Sequence, residues 1–198
     1  MKKLGQVANI RMGYPFRSRL EHNPEGSTAV VQMKDVDEAN RVRIEETFRV
    51  DLDDVREKHL LRPGDLVFKS RGVTNSAAMV KMDVGPAVLA APMLLIRPNK
   101  AVLPAYLYWY INLPATQAAL AAQAEGTSVR MISKAKLEDL DIPIPSLQKQ
   151  QAITEVAQLA EREQWLLARI AQERRRLANG ILMRHATTQH IPTDKTTR

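Results

Sequence analysis

The chain has 198 residues, 44% of them apolar and 26% charged, which is the composition of an ordinary folded protein. It contains no cysteine, so disulfides, thiolate zinc sites and cysteine nucleophiles are excluded. The net charge of +7 and the isoelectric point near 9.8 favour partners with acidic surfaces, of which nucleic acid is the commonest. No signal peptide is visible, and the longest apolar stretch, residues 87–96, is too short to cross a membrane. We therefore expect a cytoplasmic protein that does not contact a membrane.

Residues 1–145 predict a mixed α/β (α+β) domain, because short apolar runs alternate with turn residues and helical patterns. Runs of β-branched and apolar residues predict strands at 29–33, 66–68, 77–82 and 87–96. Helices are expected at 51–61, from Pro104, from Pro114 to near Gly126, and briefly at 133–140. Asp51 can cap the first of these helices, and proline fits the first turn of the next two.

Residues 146–184 predict one long helix, because they contain no proline and begin with Ser146, a good helix cap. Apolar residues follow the spacing of a coiled coil, with interruptions at Glu163 and Arg174. This seam consists of Ile153, Val156, Ala160, Leu167, Ile170, Leu177 and Ile181. The helix would be roughly 58 Å long, at about 1.5 Å per residue, so a partner helix is expected to cover the seam. The alternative is a helix that folds back and packs only its first half. Residues 185–198 are expected to form a disordered tail.

No recognisable catalytic motif is present. The sequence lacks a Walker A loop, a G-x-G-x-x-G loop and any Pro-Pro pair, and its four histidines are not spaced as metal ligands. We therefore expect no catalytic residue, no metal site and no cofactor bound by this chain. A metal-dependent nuclease stays open as a weaker alternative, because several acids lie near a lysine in the sequence. Those residues are Asp53, Asp54, Glu57, Asp65 and Lys69.

Three stretches have the composition of DNA-contacting loops, in which cations and polar side chains meet phosphates and base edges. They are residues 14–19, where basic and aromatic residues mix, residues 69–76, which follow a predicted strand, and residues 126–130, which follow a glycine. The candidate contacts are Arg17, Arg19, Lys69, Ser70, Arg71, Thr74, Asn75, Thr127, Ser128 and Arg130. For any one of them, an ordinary exposed surface position is the alternative. The same alternative applies to the basic run 174–176 on the long helix.

The junction between the two regions carries three motifs in a row: Gly126-Thr127-Ser128, Ile142-Pro143-Ile144-Pro145 and Leu147 to Ile153. This series resembles the junction in specificity subunits of type I restriction-modification systems. In that family, a target recognition domain ends in a Gly-Ser/Thr loop, an Ile-Pro-hydrophobic-Pro strand and a Leu-x-x-Gln-x-x-Ile helix start. Three upstream segments resemble the family in the same order: Leu4 to Ala8 with Gly13, Val30 to Val36, and Pro63 to Gly72.

The resemblance implies a target recognition domain at 1–145 that reads double-stranded DNA, followed by a spacer and dimerisation helix at 146–184. It implies a methyltransferase subunit as partner, and a translocating restriction subunit as a further one, with S-adenosylmethionine and ATP bound by those subunits. Typical members carry two recognition domains, so a single domain leads us to expect pairing with a second copy or another half-subunit. A two-fold pair would read an inverted repeat with an unread gap. A self-contained dimeric DNA-binding regulator and a coiled-coil scaffold without DNA contact remain as alternatives.

Overall fold

The computed structural model describes residues 1–16, 21–52, 55–72, 75–126 and 130–187. It divides into two compact units, Met1–Thr154 and a second that begins at Glu155. Within the described ranges, no helix is both long enough and apolar enough to span a membrane.

In its described residues, the first unit holds nine short strands, four short α-helices, three 3₁₀ turns and the first two turns of a long helix. The strands are β1 (Lys2–Lys3), β2 (Ala8–Met12), β3 (Thr28–Val31), β4 (Phe48–Val50), β5 (Leu66–Phe68), β6 (Ala77–Met79), β7 (Ala87–Leu89), β8 (Leu94–Pro98) and β9 (Asp141–Ile142). The helices are α1 (Leu4–Val7), α2 (Pro104–Asn112), α3 (Pro114–Ala122), α4 (Lys134–Glu138) and the long α5 (Leu147–Thr187).

Two sheets carry the architecture. The first is antiparallel, in the order β2-β8-β5-β6. The second has the order β4-β3-β7, with β3 parallel to β7 and antiparallel to β4. A third, two-stranded sheet pairs β1 with β9 and so joins the start of the chain to the segment that precedes α5. The mixed α/β fold expected from the sequence is confirmed.

The four-stranded sheet is buried on both faces, since alternate side chains of a strand point to opposite sides. Phe68 and Ile96 belong to a cluster with Leu107 of α2 and Leu120 of α3. Their neighbours Val67 and Leu95 belong to a second cluster, with Val31 and Leu89 of the three-stranded sheet. The first unit is therefore layered, with helices, the four-stranded sheet and the three-stranded sheet stacked in that order. Near-continuous apolar runs in β5 and β8 follow from burial on both faces.

The start of α5 is locked to the first unit by a buried amide. Ser146 caps the helix weakly, its Oγ accepting from the Lys149 N–H at 3.4 Å. One turn later Gln150 is fully buried, and its Oε1 accepts from the Leu103 N–H at 2.8 Å. Its Nε2 donates to the carbonyls of Ala101 and Pro145, at 3.1 and 2.9 Å. Because a buried amide is costly unless its bonds are made, this set of partners holds the helix start in one register.

Four expectations about secondary structure need correction. The described part of 51–61 holds only a 3₁₀ turn at Glu57–His59, because the backbone that follows pairs with β7 through Leu60–Val88 and the Leu61 N–H. The run 87–96 is not one strand but two, β7 and β8, which belong to different sheets. Helix α3 ends at Ala122, before the predicted end near Gly126. Helix α5 continues to Thr187, so 185–187 are helical, while the rest of the expected tail lies outside the described residues.

A bidentate ion pair crosses from the turn before β5 to the end of β8. Arg97 donates from Nε and Nη2 to the two carboxylate oxygens of Asp65, both at 2.7 Å. Asp65 is 2% exposed and also accepts from the Arg62 N–H, while Arg97 donates to the Leu60 carbonyl at 2.8 Å. The hydrogen bonds that Arg97 donates to Asp65 raise the pKa of Arg97 above its ordinary value, although burial opposes this. The pair thereby ties the 57–60 segment to the four-stranded sheet.

Replacing Asp65 by Asn should lower the free energy of unfolding by about 3 kcal/mol, because it leaves Arg97 half-buried without a counter-charge. The matched control is Glu57→Gln, which removes an exposed pair with Arg62 and should cost less than about 1 kcal/mol. Urea unfolding of the two variants measures both values. Equal losses in the two variants would contradict a structural role for the Asp65–Arg97 pair.

Candidate nucleic-acid interface

Several loops leave the two sheets at one common edge. In the four-stranded sheet, Met12 at the end of β2 lies opposite Leu94 at the start of β8. Leu94 also lies opposite Phe68 at the end of β5, and Phe68 lies opposite Ala77 at the start of β6. In the three-stranded sheet, β3 and β7 end together at the residues beside Ala90. We call this the loop edge: its described segments are 13–16, 69–72, 75–76, 90–93 and 130–132.

The turn 90–93 contacts two other segments of the loop edge. It connects β7 of one sheet to β8 of the other. The carbonyl of its Met93 accepts a hydrogen bond from the Gly13 N–H at 2.8 Å. A Cβ at Gly13 would lie 2.6 Å from the carbonyl carbon of Ala90, so the close approach requires glycine. The Ser70 hydroxyl donates to the Pro92 carbonyl at 2.7 Å. Segments 13–16 and 69–72 therefore both contact one turn.

The structure brings the second and third predicted DNA-contacting stretches together. Arg71 pairs with Met131 in an antiparallel bridge, and the Ile132 N–H donates to the Ser70 carbonyl at 2.8 Å. Met131 also pairs with Glu125, which closes the loop that contains 126–130. Residues 69–72 and 130–132 are thus neighbours in space although about sixty positions separate them in the chain.

The candidate contacts divide into exposed cations and buried polar residues. Arg71 and Arg130 are exposed and Lys69 is half-buried. Ser70 and Asn75 are buried, at 1% and 5% exposure. Asn75 donates to the Lys69 carbonyl at 3.1 Å, so both of these side chains already bind backbone within the loop edge. Arg17, Arg19, Thr74, Thr127 and Ser128 lie outside the described residues.

This arrangement suits the binding of DNA better than catalysis. Exposed guanidinium groups held on loops at a rigid sheet edge can donate to phosphates or to base edges. Among the described residues, no group of three or more His, Asp or Glu side chains is placed to hold a metal ion. Of the acids in the nuclease alternative, Asp65 binds Arg97 and Glu57 binds Arg62, while Asp53 and Asp54 lie outside the described residues.

Two elements were not predicted from the sequence: strand β2, which leads into the loop edge, and the turn 90–93. Each had a signal in the sequence. In 8–12, Ala8 and Ile10 are buried whereas Asn9 is exposed, which is the alternation of a half-buried strand. Pro92 interrupts the apolar run 87–96, and proline in a run argues against one continuous strand.

Most of the predicted seam on α5 is exposed. Val156, Leu167, Ile170, Leu177 and Ile181 are between 47% and 68% exposed. Ile153 is half-buried and packs on the cluster between the helices and the four-stranded sheet, so the seam is partly covered only at its first position. Leu159 and Leu166 add exposed apolar surface one position before seam residues Ala160 and Leu167. Trp165 is also exposed, with the guanidinium of Arg169 5.6 Å from its ring centre.

Comparison with known protein families decides the relationship. The model of the type I restriction modification DNA specificity domain matches residues 1–162, which is most of the chain. The chain belongs to this family. By its description, this domain gives type I restriction-modification systems their DNA specificity. The search of curated proteins found no match.

Solved structures show the same fold for this specificity domain. The HsdS subunit from Thermoanaerobacter tengcongensis aligns with a TM-score of 0.64 and 21% identity, over 85% of this chain and 38% of that one. A structure described for complex assembly and conformational transition of the type I R-M system aligns with a TM-score of 0.69 and 22% identity, over 91% of this chain and 44% of that one. The type I S subunit from M. genitalium aligns with a TM-score of 0.55 and 14% identity, over 90% of this chain and 43% of that one. This chain therefore spans about two fifths of the structures it matches.

Proposed function

We propose that this chain is a DNA-recognition part of a type I restriction-modification complex and carries no catalytic group of its own. The observation that supports this most strongly is the convergence of Lys69, Arg71 and Arg130 at one sheet edge of a specificity domain. Loops held on a rigid scaffold suit sequence reading, because small changes in loop residues alter the bases contacted without altering the fold.

Within the loop edge, exposed and buried residues would do different work. Arg71 and Arg130 are placed to contact DNA, and Arg is the side chain that most often pairs with guanine in the major groove. Ser70 and Asn75 would act indirectly, by holding the loop backbone through their bonds to Pro92 and Lys69. Arg17, Arg19, Thr74, Thr127 and Ser128 remain candidates on sequence grounds alone.

The partners follow from the family. A methyltransferase subunit would supply S-adenosylmethionine chemistry at the bound site, and a restriction subunit would supply ATP-driven translocation. Such a complex would work in the cytoplasm, where chromosomal DNA lies. The second candidate function is a freestanding DNA-binding regulator, because exposed cations and an exposed helix seam fit it as well. A pull-down with the tagged chain separates the two functions. Recovery of a methyltransferase subunit supports the restriction-modification complex.

The seam of α5 fits a second copy of this chain in antiparallel orientation. A two-fold axis between Ala168 and Arg169 would place Leu167 against Ile170, and Ala160 against Leu177, of the other copy. In that register the two charged interruptions meet, Glu163 facing Arg174 twice by symmetry. A parallel pair would instead place Glu163 against Glu163 and Arg174 against Arg174. Charge complementarity thus favours the antiparallel homodimer, whose target would be an inverted repeat with an unread gap.

Replacing Arg71 or Arg130 by Ala should weaken binding to the preferred duplex by at least about 5-fold, since a good base contact contributes about 1–3 kcal/mol. The duplex is selected from a random library by the wild-type chain, and binding is followed by fluorescence anisotropy. The control is Lys100→Ala, an exposed cation beyond the opposite end of β8. Unfolding free energies should stay unchanged in all three. Wild-type affinity in both arginine variants would contradict DNA reading at the loop edge.

Charge reversal tests the antiparallel pair. Glu163→Arg should weaken the dimer by about tenfold. Two contacts change from attractive to repulsive, and the net change is about 0.7 kcal/mol at each contact. The double variant Glu163→Arg, Arg174→Glu should restore the wild-type dimer. Analytical ultracentrifugation measures each dissociation constant. A double variant that is no tighter than the single one would exclude this register.

A further inference from the structure

A second cluster of cations lies beside the loop edge, on residues that neither the sequence motifs nor the family match single out. Leu60 and Leu61 run antiparallel to β7, since Leu60 pairs with Val88 and the Leu61 N–H donates to the Ala87 carbonyl at 2.8 Å. The 3₁₀ turn Glu57–His59 precedes this pairing, and its His59 ring lies beside Tyr14 of the loop edge, with 5.6 Å between the ring centres. Arg56 and Lys58 are exposed there.

Arg11 joins this segment to the four-stranded sheet. It lies on β2 one residue before the loop edge, and its Nη1 donates to the Lys58 carbonyl at 3.2 Å. Its Nε donates to the Asn9 side-chain oxygen at 2.7 Å, which fixes the guanidinium plane. Three cations from two separated parts of the chain, Arg11, Arg56 and Lys58, are in this way gathered round His59.

Two aromatic rings of the loop edge lie next to His59 and so next to these cations. The Tyr14 ring centre lies 5.0 Å from that of Phe16 and 5.6 Å from that of His59, the latter in an edge-on arrangement. Tyr14 and Phe16 pack on the apolar cluster formed by Val30 and Val88. Since Tyr14 itself belongs to the loop edge through its bridge to Ala90, the cation cluster and the loop edge form one continuous surface.

The surface around His59 is positively charged, and this charge affects the pKa of His59. Burial lowers the pKa of His59 first, and the positive charges of Lys58, Arg11 and Arg56 lower it further. Glu57, the acid within the segment, points to another partner, the Arg62 guanidinium at 3.2 Å.

We propose that Arg11, Arg56 and Lys58 bind DNA backbone phosphates next to the bases contacted by the loop edge. This inference rests on the proposed function and adds a contact surface to it. Phosphates are the ligand that fits, because the cluster presents positive charges on a firmly held backbone, and positioning contacts of this kind fix the register of a reader on the duplex.

The salt dependence of DNA binding tests the proposal, because each phosphate contact releases counterions. The probe is a fluorescent duplex of random sequence, titrated with the full chain at several salt concentrations. The double variant Arg56→Ala, Lys58→Ala should flatten the plot of log affinity against log salt by about 0.9 per lost contact. The control is Lys81→Ala, an exposed cation that follows β6 at the opposite end of the sheet, and it should leave the slope unchanged. Arg11 is left intact in this test because its packing role could affect folding.

The outcomes separate this inference from the proposed function. A flatter slope in the double variant alone supports the phosphate contacts. A double variant with the wild-type slope, in a chain that binds DNA, overturns this inference and leaves the proposed function standing. Equal flattening by Lys81→Ala also overturns it, since the effect would then reflect total charge. A wild-type chain that fails to bind any duplex, alone or with its methyltransferase subunit, overturns the proposed function and this inference with it.

Discussion

The loop edge depends on the carbonyl groups of the turn 90–93. This turn carries the chain from one sheet to the other, so its position is set by both sheets. Its carbonyls then accept from the Gly13 N–H and from the Ser70 hydroxyl, which come from two other loops. Hydrogen bonds of this kind contribute only about 1 kcal/mol each, yet they determine where the exposed cations lie relative to one another. A reading surface needs that precision more than it needs stability, because base contacts fail when displaced by about 1 Å.

The division between buried and exposed polar residues in one loop shows how the loop edge is built. Ser70 and Arg71 are adjacent in sequence, but Ser70 is buried against Pro92 while Arg71 is exposed and pairs through its backbone with Met131. A short polar side chain can satisfy backbone groups inside the edge, and a long cationic one extends beyond it. The same contrast separates Asn75 from Arg130. Buried loop residues of this domain therefore hold its shape, and the exposed ones are those available for the proposed DNA contacts.

Much of the fold could be predicted from local patterns, and the misses have physical causes. Pro104 and Pro114 begin helices and Ser133 caps α4, because capping and proline geometry are local properties. The helix predicted at 51–61 was wrong because tertiary pairing with β7 outweighed helix propensity. The loop edge as a surface could not be predicted, since it depends on register between strands far apart in the chain. Sequence composition picked out stretches 69–76 and 126–130, but only strand pairing makes them neighbours.

Helix α5 combines a fixed start with an exposed seam. Gln150 makes three hydrogen bonds in a fully buried position, so the helix begins in one register. From Val156 onward the apolar side chains are exposed at coiled-coil spacing, and Glu163 and Arg174 interrupt them at positions that are complementary in a two-fold antiparallel pair. Charged seam residues of this kind cost stability and gain specificity for one partner and orientation.

In the proposed function, this chain selects the DNA sequence that a partner subunit methylates. Mapping of methylated bases across the host genome, with the gene intact, deleted and restored, is the direct test. Deletion is expected to abolish methylation at one bipartite motif, and the restored gene is expected to bring it back. An unchanged set of methylated motifs after deletion, in a host whose methyltransferase subunit is expressed, would contradict it.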